Sequence, residues 1–141
     1  MDWCNSEGYH DPTACMALVS VAKTETPPPP RRPLVYVASP YAGDVDYNTS
    51  RARAYCRFAV SKGAIPLAAH LLFTQFMDDS DEEERALGLS FGLALLCKCN
   101  ELWAFGDLVS KGMAAEIAKA KKCGKPVRRF NNKCEEIVGW N

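Results

Sequence analysis

The densest chemistry in the chain lies in Ser110-Lys111-Gly112-Met113-Ala114-Ala115-Glu116, between a short apolar run and a helical pattern. The first amides of a helix lack intrahelical acceptors, so they suit a phosphate or carboxylate. Gly112 has no side chain to keep a ligand off that backbone. Glu116 is four residues beyond Gly112, one turn deeper on the same face, whereas Met113, Ile117 and Ala120 fall on the packing face. The spacing therefore aims a carboxylate at whatever the amides hold. A solvent-facing glutamate paired with Lys119 or Lys111 fits the same spacing.

Other side chains with chemistry sit in two segments. Ser39-Pro40-Tyr41-Ala42-Gly43 follows an apolar run and reads as a loop that presents Ser39, Tyr41 and Gly43. In the segment 66–79, His70 stands among apolar residues, able to bind a polar edge or donate a proton, and equally able to be a satisfied structural group. Asp78 and Asp79 would orient a ligand or act as an acid, or simply belong to an acidic helix start. Arg51 and Arg53 lie within reach of an anion near the first loop, although exposure is the ordinary fate of arginine. Cys97-Lys98-Cys99 is a C-x-C with no second pair or nearby histidine, so two buried thiols at a helix end are expected rather than a metal site.

These residues need elements to position them. Leu34-Val35-Tyr36-Val37-Ala38 is a β-branched and aromatic run, hence a buried strand. Asn48 is expected to cap a helix reaching about Ser61, ended by Lys62-Gly63. Residues 64–67 form a second strand. The acidic run from Asp78 to Glu84 favours the positive end of a long apolar helix reaching about Lys98. Residues 100–105 form a third strand, 110–122 a third helix stopped by Gly124, and 126–130 a fourth strand. Alternating strands and helices with right-handed crossovers predict a single flavodoxin- or Rossmann-like α/β domain of three layers, with a four- to five-stranded parallel sheet. Ligands of such sheets lie beyond the carboxyl ends of the strands, so the loops 39–47 and 106–112 should face one site.

The remaining composition narrows the partners. With 141 residues the chain suits one globular domain, and 17 basic residues balance 17 acidic ones. No global field favours a nucleic acid polymer or an anionic membrane, and no apolar stretch approaches a membrane span. Seven cysteines, an odd number without paired short spacings, argue against a disulfide scaffold and agree with a reducing, cytoplasmic setting. Pro27 to Pro30 and Pro33 divide a leader, with a short helix expected over 14–22 after Asp11-Pro12, from the core. The expected organisation is leader and linker 1–33, domain 34–130 and tail 131–141.

Tyr36-Val37-Ala38-Ser39-Pro40-Tyr41 as first strand and loop, Glu101-Leu102-Trp103-Ala104-Phe105-Gly106 as a later strand, and Ser-x-Gly-x-x-x-Glu running into Ala120 and Gly124-Lys125-Pro126-Val127 together resemble the nucleoside 2-deoxyribosyltransferase superfamily. The resemblance spans about 34–130 and lies nearest an uncharacterised branch. It implies that Glu116 is the nucleophile that attacks the anomeric carbon of a 2-deoxyribosyl group and expels the base. Tyr41 resembles the aromatic residue near the sugar that orients this nucleophile, and Asp78 would assist as acid. Transferases of free nucleosides usually carry a carboxylate six residues before the nucleophile. The related 2-deoxynucleoside 5-monophosphate N-glycosidases carry serine there, as Ser110 does here.

A 5′-phosphorylated ligand is therefore expected, bound by Ser39, Gly43, His70, Ser110, Gly112 and Met113. Asn100 stands where relatives often carry aspartate, and Asp107-Leu108-Val109 replaces the acidic, glycine-rich approach of the transferases. The implied function is cleavage or transfer of the N-glycosidic bond of a (deoxy)nucleoside 5-monophosphate, with no metal and no cofactor. The alternatives are a non-catalytic binder or sequestering protein for a nucleotide-derived signal, and an interaction module carried by the leader helix. Such subunits commonly complete the site with a neighbouring chain, so a homo-oligomer, dimer or higher, is expected, with 131–141 and Trp140 as an intersubunit element.

Overall fold

Strand alternation divides the core into two halves. In β1 (Leu34–Ala38), Val35 and Val37 face one side of the sheet and Tyr36 and Ala38 the other, and all four are buried. The computed structural model describes residues 31–139. The leader helix expected over 14–22 and Trp140 lie outside the described residues.

After β1 come α1 (Val45–Ser61), β2 (Ile65–Leu67), α2 (Ala69–Leu72), a 3-10 turn (Phe73–Gln75), α3 (Glu82–Leu96), β3 (Glu101–Phe105), α4 (Lys111–Lys122), β4 (Val127–Phe130) and β5 (Glu136–Ile137). The sheet order is β2-β1-β3-β4-β5. The first four strands are parallel, and β5 returns antiparallel to β4. Pro66 is tolerated because β2 is an edge strand, paired with β1 alone. The order reverses between β1 and β3, which makes that gap the switch point of the α/β fold.

On one face Tyr55 and Ala59 of α1 meet Val35, Val37, Trp103, Phe105 and Phe130. Phe105 stacks between Tyr55 and Phe130, with ring centroids 4.6 and 4.8 Å away. On the other face Leu96 of α3 and Met113, Ile117 and Ala120 of α4 cover Tyr36, Ala38, Leu102 and Ala104. Burial of each large apolar side chain contributes about 1.5–3 kcal/mol, so both halves are needed to hold the sheet.

Several local expectations are corrected. The first long helix begins earlier: Asp44, not Asn48, is its cap, accepting from the Tyr47 amide. Asn48 instead donates through Nδ2 to the Tyr41 and Ala42 carbonyls, and so ties the loop back onto the helix. Asp81, three residues past Asp78, caps α3.

The cysteines also differ. Cys97 at the end of α3 is disulfide-bonded to Cys123 at the end of α4, while Cys99 is a buried free thiol. Residues two apart at a helix end point in different directions, so the C-x-C does not act as a pair. The described part of the tail pairs as β5 with the chain's own β4, where Arg128 holds Glu136 at 2.7 Å. Among the described residues no helix is long and apolar enough to cross a membrane.

Candidate functional site

A cavity of about 620 Å³ opens where β1, β2 and β3 end, and α2, α3 and α4 wall it. Its volume is in the range of small-molecule sites. β1 and its loop contribute Tyr36, Ser39 and Tyr41, and α4 contributes Ser110, Gly112, Met113 and Glu116. His70, Asp78 and Asp79 line it from the segment after β2, and Arg85 and Gly92 from α3.

Glu116 is half-buried, one turn inside α4, because Met113, Ile117 and Ala120 anchor the neighbouring stripe of that helix against the sheet. Its partner is neither Lys119 nor Lys111. The Tyr36 hydroxyl donates to its Oε2 in a short hydrogen bond. Burial pushes the Glu116 carboxyl up to about 7, and the Tyr36 bond opposes part of that rise. Burial, with the adjacent carboxylate second, raises the Tyr36 phenol, so it stays a donor. The pair thus offers a carboxyl that changes charge near neutrality, with one oxygen held by a fixed donor.

Ser110 caps α4, its Oγ accepting from the Met113 amide at 3.2 Å. That satisfies one of the orphan amides, and Lys111 and Gly112 at the helix start line the cavity. Gly112 has no heavy atom within 4 Å of the position a Cβ would take, so the space above it is open.

On the opposite side, His70 Nε2 lies 3.4 Å from Ser39 Oγ, and its ring centroid is 5.2 Å from that of Tyr41. Burial lowers the His70 pKa, which favours the neutral imidazole. Thr74 Oγ1 donates to the His70 carbonyl at 2.6 Å and stabilises this short turn. Asp78 is exposed at the rim, where hydrogen bonds from the Ser80 hydroxyl and amide hold its carboxyl below the usual range.

Not every expected residue reaches the cavity. Gly43 adopts φ +98° in the loop but does not line it, since the chain has already turned toward Asp44. Arg51 sits on the other face of the sheet, donating to the Asn132 carbonyl with its guanidinium 5.0 Å from the Tyr55 ring. Arg53 is exposed on α1 and does not line the cavity. Asn100 holds the start of β1, its Oδ1 accepting from the Leu34 amide at 2.7 Å. Asp107 accepts from the Asn132 amide at 3.2 Å.

Tyr36 and Gly92 were not legible as site residues from motif spacing. The available signals were a tyrosine in a strand of valine and alanine, whose buried hydroxyl requires a partner, and a glycine inside a leucine-rich helix.

Residues 33–130 match the family described as "Domain of unknown function (DUF7768)", and the chain belongs to that family. Among solved structures, a 2-deoxyribosyltransferase from the psychrotolerant bacterium Bacillus psychrosaccharolyticus is similar in fold, with TM-score 0.55 and 21% identity over 74% of this chain and 76% of that one. A conserved protein from Enterococcus faecalis V583 is 20% identical over 71% of this chain and 64% of that one, with TM-score 0.49. No curated protein matches. The α/β, flavodoxin-type architecture is thus shared with a deoxyribosyltransferase.

Proposed function

We propose that this protein cleaves or transfers the N-glycosidic bond of a (deoxy)nucleoside 5-monophosphate, with Glu116 as nucleophile. The observation that carries this reading is the Tyr36-held carboxyl of Glu116 in the wall of a cavity at the switch point of the sheet. The fold shared with a 2-deoxyribosyltransferase supports glycosyl transfer as the class of reaction.

In this mechanism ionised Glu116 attacks the anomeric carbon through the oxygen that Tyr36 does not hold. As the new C–O bond forms, the C–N bond breaks and its electron pair leaves with the base, which takes a proton from water. A second water, or another base, then attacks the anomeric carbon and expels the Glu116 carboxylate. A carboxylate at this position stabilises the positive charge that develops on the sugar. The Lys111 and Gly112 amides, with Ser110, receive the 5′-phosphate at the positive end of α4, where a carboxylate in place of Ser110 would repel it. Tyr41, His70 and Ser39 form the side that meets sugar and base, with Asp78 at its rim.

One observation favours a second reading, a non-catalytic nucleotide binder. Ser80 hydrogen bonds lower the Asp78 carboxyl and burial lowers the His70 imidazole, and both shifts disfavour the protonated form that would give a proton to a leaving base. Incubation with deoxynucleoside monophosphates, followed by chromatography for free base, separates the two. Base release supports the enzyme; tight nucleotide binding without release supports the binder.

A further inference from the structure

α3 carries a glycine where a helix interior gains nothing from one. Gly92 has none of the left-handed φ values that would require glycine, and replacing alanine by glycine inside a helix costs about 1 kcal/mol. Its neighbours supply a reason. A Cβ built on Gly92 would lie 2.9 Å from the Tyr36 hydroxyl oxygen and 3.3 Å from the Ala69 Cβ. The first distance is shorter than side-chain carbons tolerate, and Tyr36 has no slack, because its ring is buried in a strand paired on both sides.

We propose that Gly92 is a positioning residue: the space left by its missing side chain seats the Tyr36 hydroxyl, and that seat aims the hydroxyl at Glu116. Three elements meet in the arrangement, with β1 supplying the donor, α4 the carboxyl and α3 the gap. Met113 and Ile117 fix α4 from the sheet side, so Glu116 cannot follow the hydroxyl if it is displaced. Cys99, another titratable group near Tyr36, remains a thiol because burial raises it to about 11. His70 and Lys111 line the same cavity from α2 and α4. The proposal rests on Glu116 as the reacting group for its functional meaning, but the seat itself is tested without turnover.

Four full-length proteins make the experiment: wild type, Gly92→Ala, Tyr36→Phe and the double variant. Each is measured by thermal unfolding, by NMR titration of the Glu116 carboxyl, and by base release from deoxynucleoside monophosphates. Gly92→Ala is expected to lower Tm by several degrees and to raise the Glu116 midpoint, because the bond that holds it down is lost. In the Tyr36→Phe background the same change should lower Tm far less and leave the midpoint where Tyr36→Phe alone puts it. An equal Tm loss in both backgrounds, or a wild-type midpoint in Gly92→Ala, overturns the proposal. Should Gly92→Ala not fold, folding of the double variant supports the seat and failure of both overturns it. If no protein releases base, the enzymatic reading fails, while Tm and midpoint still decide the role of Gly92.

Discussion

The Tyr36 hydroxyl on the central strand β1 donates to Oε2 of Glu116 on α4, 80 positions away in the chain. The bond ties the protonation of the carboxyl to the geometry of the sheet. If Glu116 is the proposed nucleophile it must be ionised, so the rate should climb as pH passes through about 7, the value to which burial brings Glu116. Tyr36→Phe removes a donor that favours the charged form, so it should move the inflection to higher pH. A rate independent of pH across that range would show that Glu116 ionisation is not required.

Glu116→Gln is expected to abolish turnover with ligand affinity nearly intact. The amide keeps the shape of the carboxyl but cannot form the bond or offset developing positive charge, a loss on the order of 10²-fold or more in rate. Glu101→Gln is the control. Glu101 lies on β3, and its Oε1 accepts from the Trp103 indole at 3.0 Å, away from the cavity. Wild-type turnover by Glu116→Gln would remove this residue from the chemistry.

The same substitution should stabilise the protein in alkaline solution. The Glu116 pKa is raised on folding, from 4.5 to about 7, so its contribution to stability is full below about 4.5 and is lost as pH rises through about 7. Above that, the buried charge opposes folding by up to about 3 kcal/mol, a term that glutamine lacks. Unfolding curves at pH 5 and pH 8 should therefore show an advantage of Glu116→Gln over wild type that is larger at the higher pH. An advantage that shrinks between those pH values contradicts the sign.

Under the proposed function, monophosphates should raise the unfolding temperature more than their parent nucleosides, since only they would engage the start of α4. Ser110→Ala should lower stability by about 1 kcal/mol through loss of the cap on Met113, and it should reduce the monophosphate advantage. Equal shifts from nucleosides and monophosphates would take Ser110 and Gly112 out of the ligand site.

The Cys97–Cys123 bond joins the ends of α3 and α4, two walls of the cavity, across a sequence separation of 26. Closing a loop of that length is expected to stabilise the oxidised protein by about 3 kcal/mol relative to the reduced one. Denaturant unfolding with and without a thiol reductant measures this, and Cys97→Ser should behave like reduced wild type in both. A reductant effect that persists in Cys97→Ser would assign it to other cysteines.

Sequence alone determined the four parallel strands, the three long helices and their order. The alternation of Val35 and Val37 with Tyr36 and Ala38 marks a two-faced strand, Gly63 and Gly124 end helices with positive φ, and the Met113, Ile117 and Ala120 stripe turns α4 to the sheet. Each of these follows from preferences within a few residues, as does the Ser110 cap. Tertiary structure decided which distant groups meet. Asp44 prevailed over Asn48 as a cap because the helix already begins at Val45, where Asn48 lies inside it and donates to loop carbonyls. Arg51 turned to Asn132, Cys97 found Cys123, and Glu116 found Tyr36 in place of a neighbouring lysine. A repeat of two or 3.6 residues tells a side chain which face it occupies, but strand order and helix seating choose what stands opposite, and in this site they placed a tyrosine, a glutamate and the gap at Gly92 together.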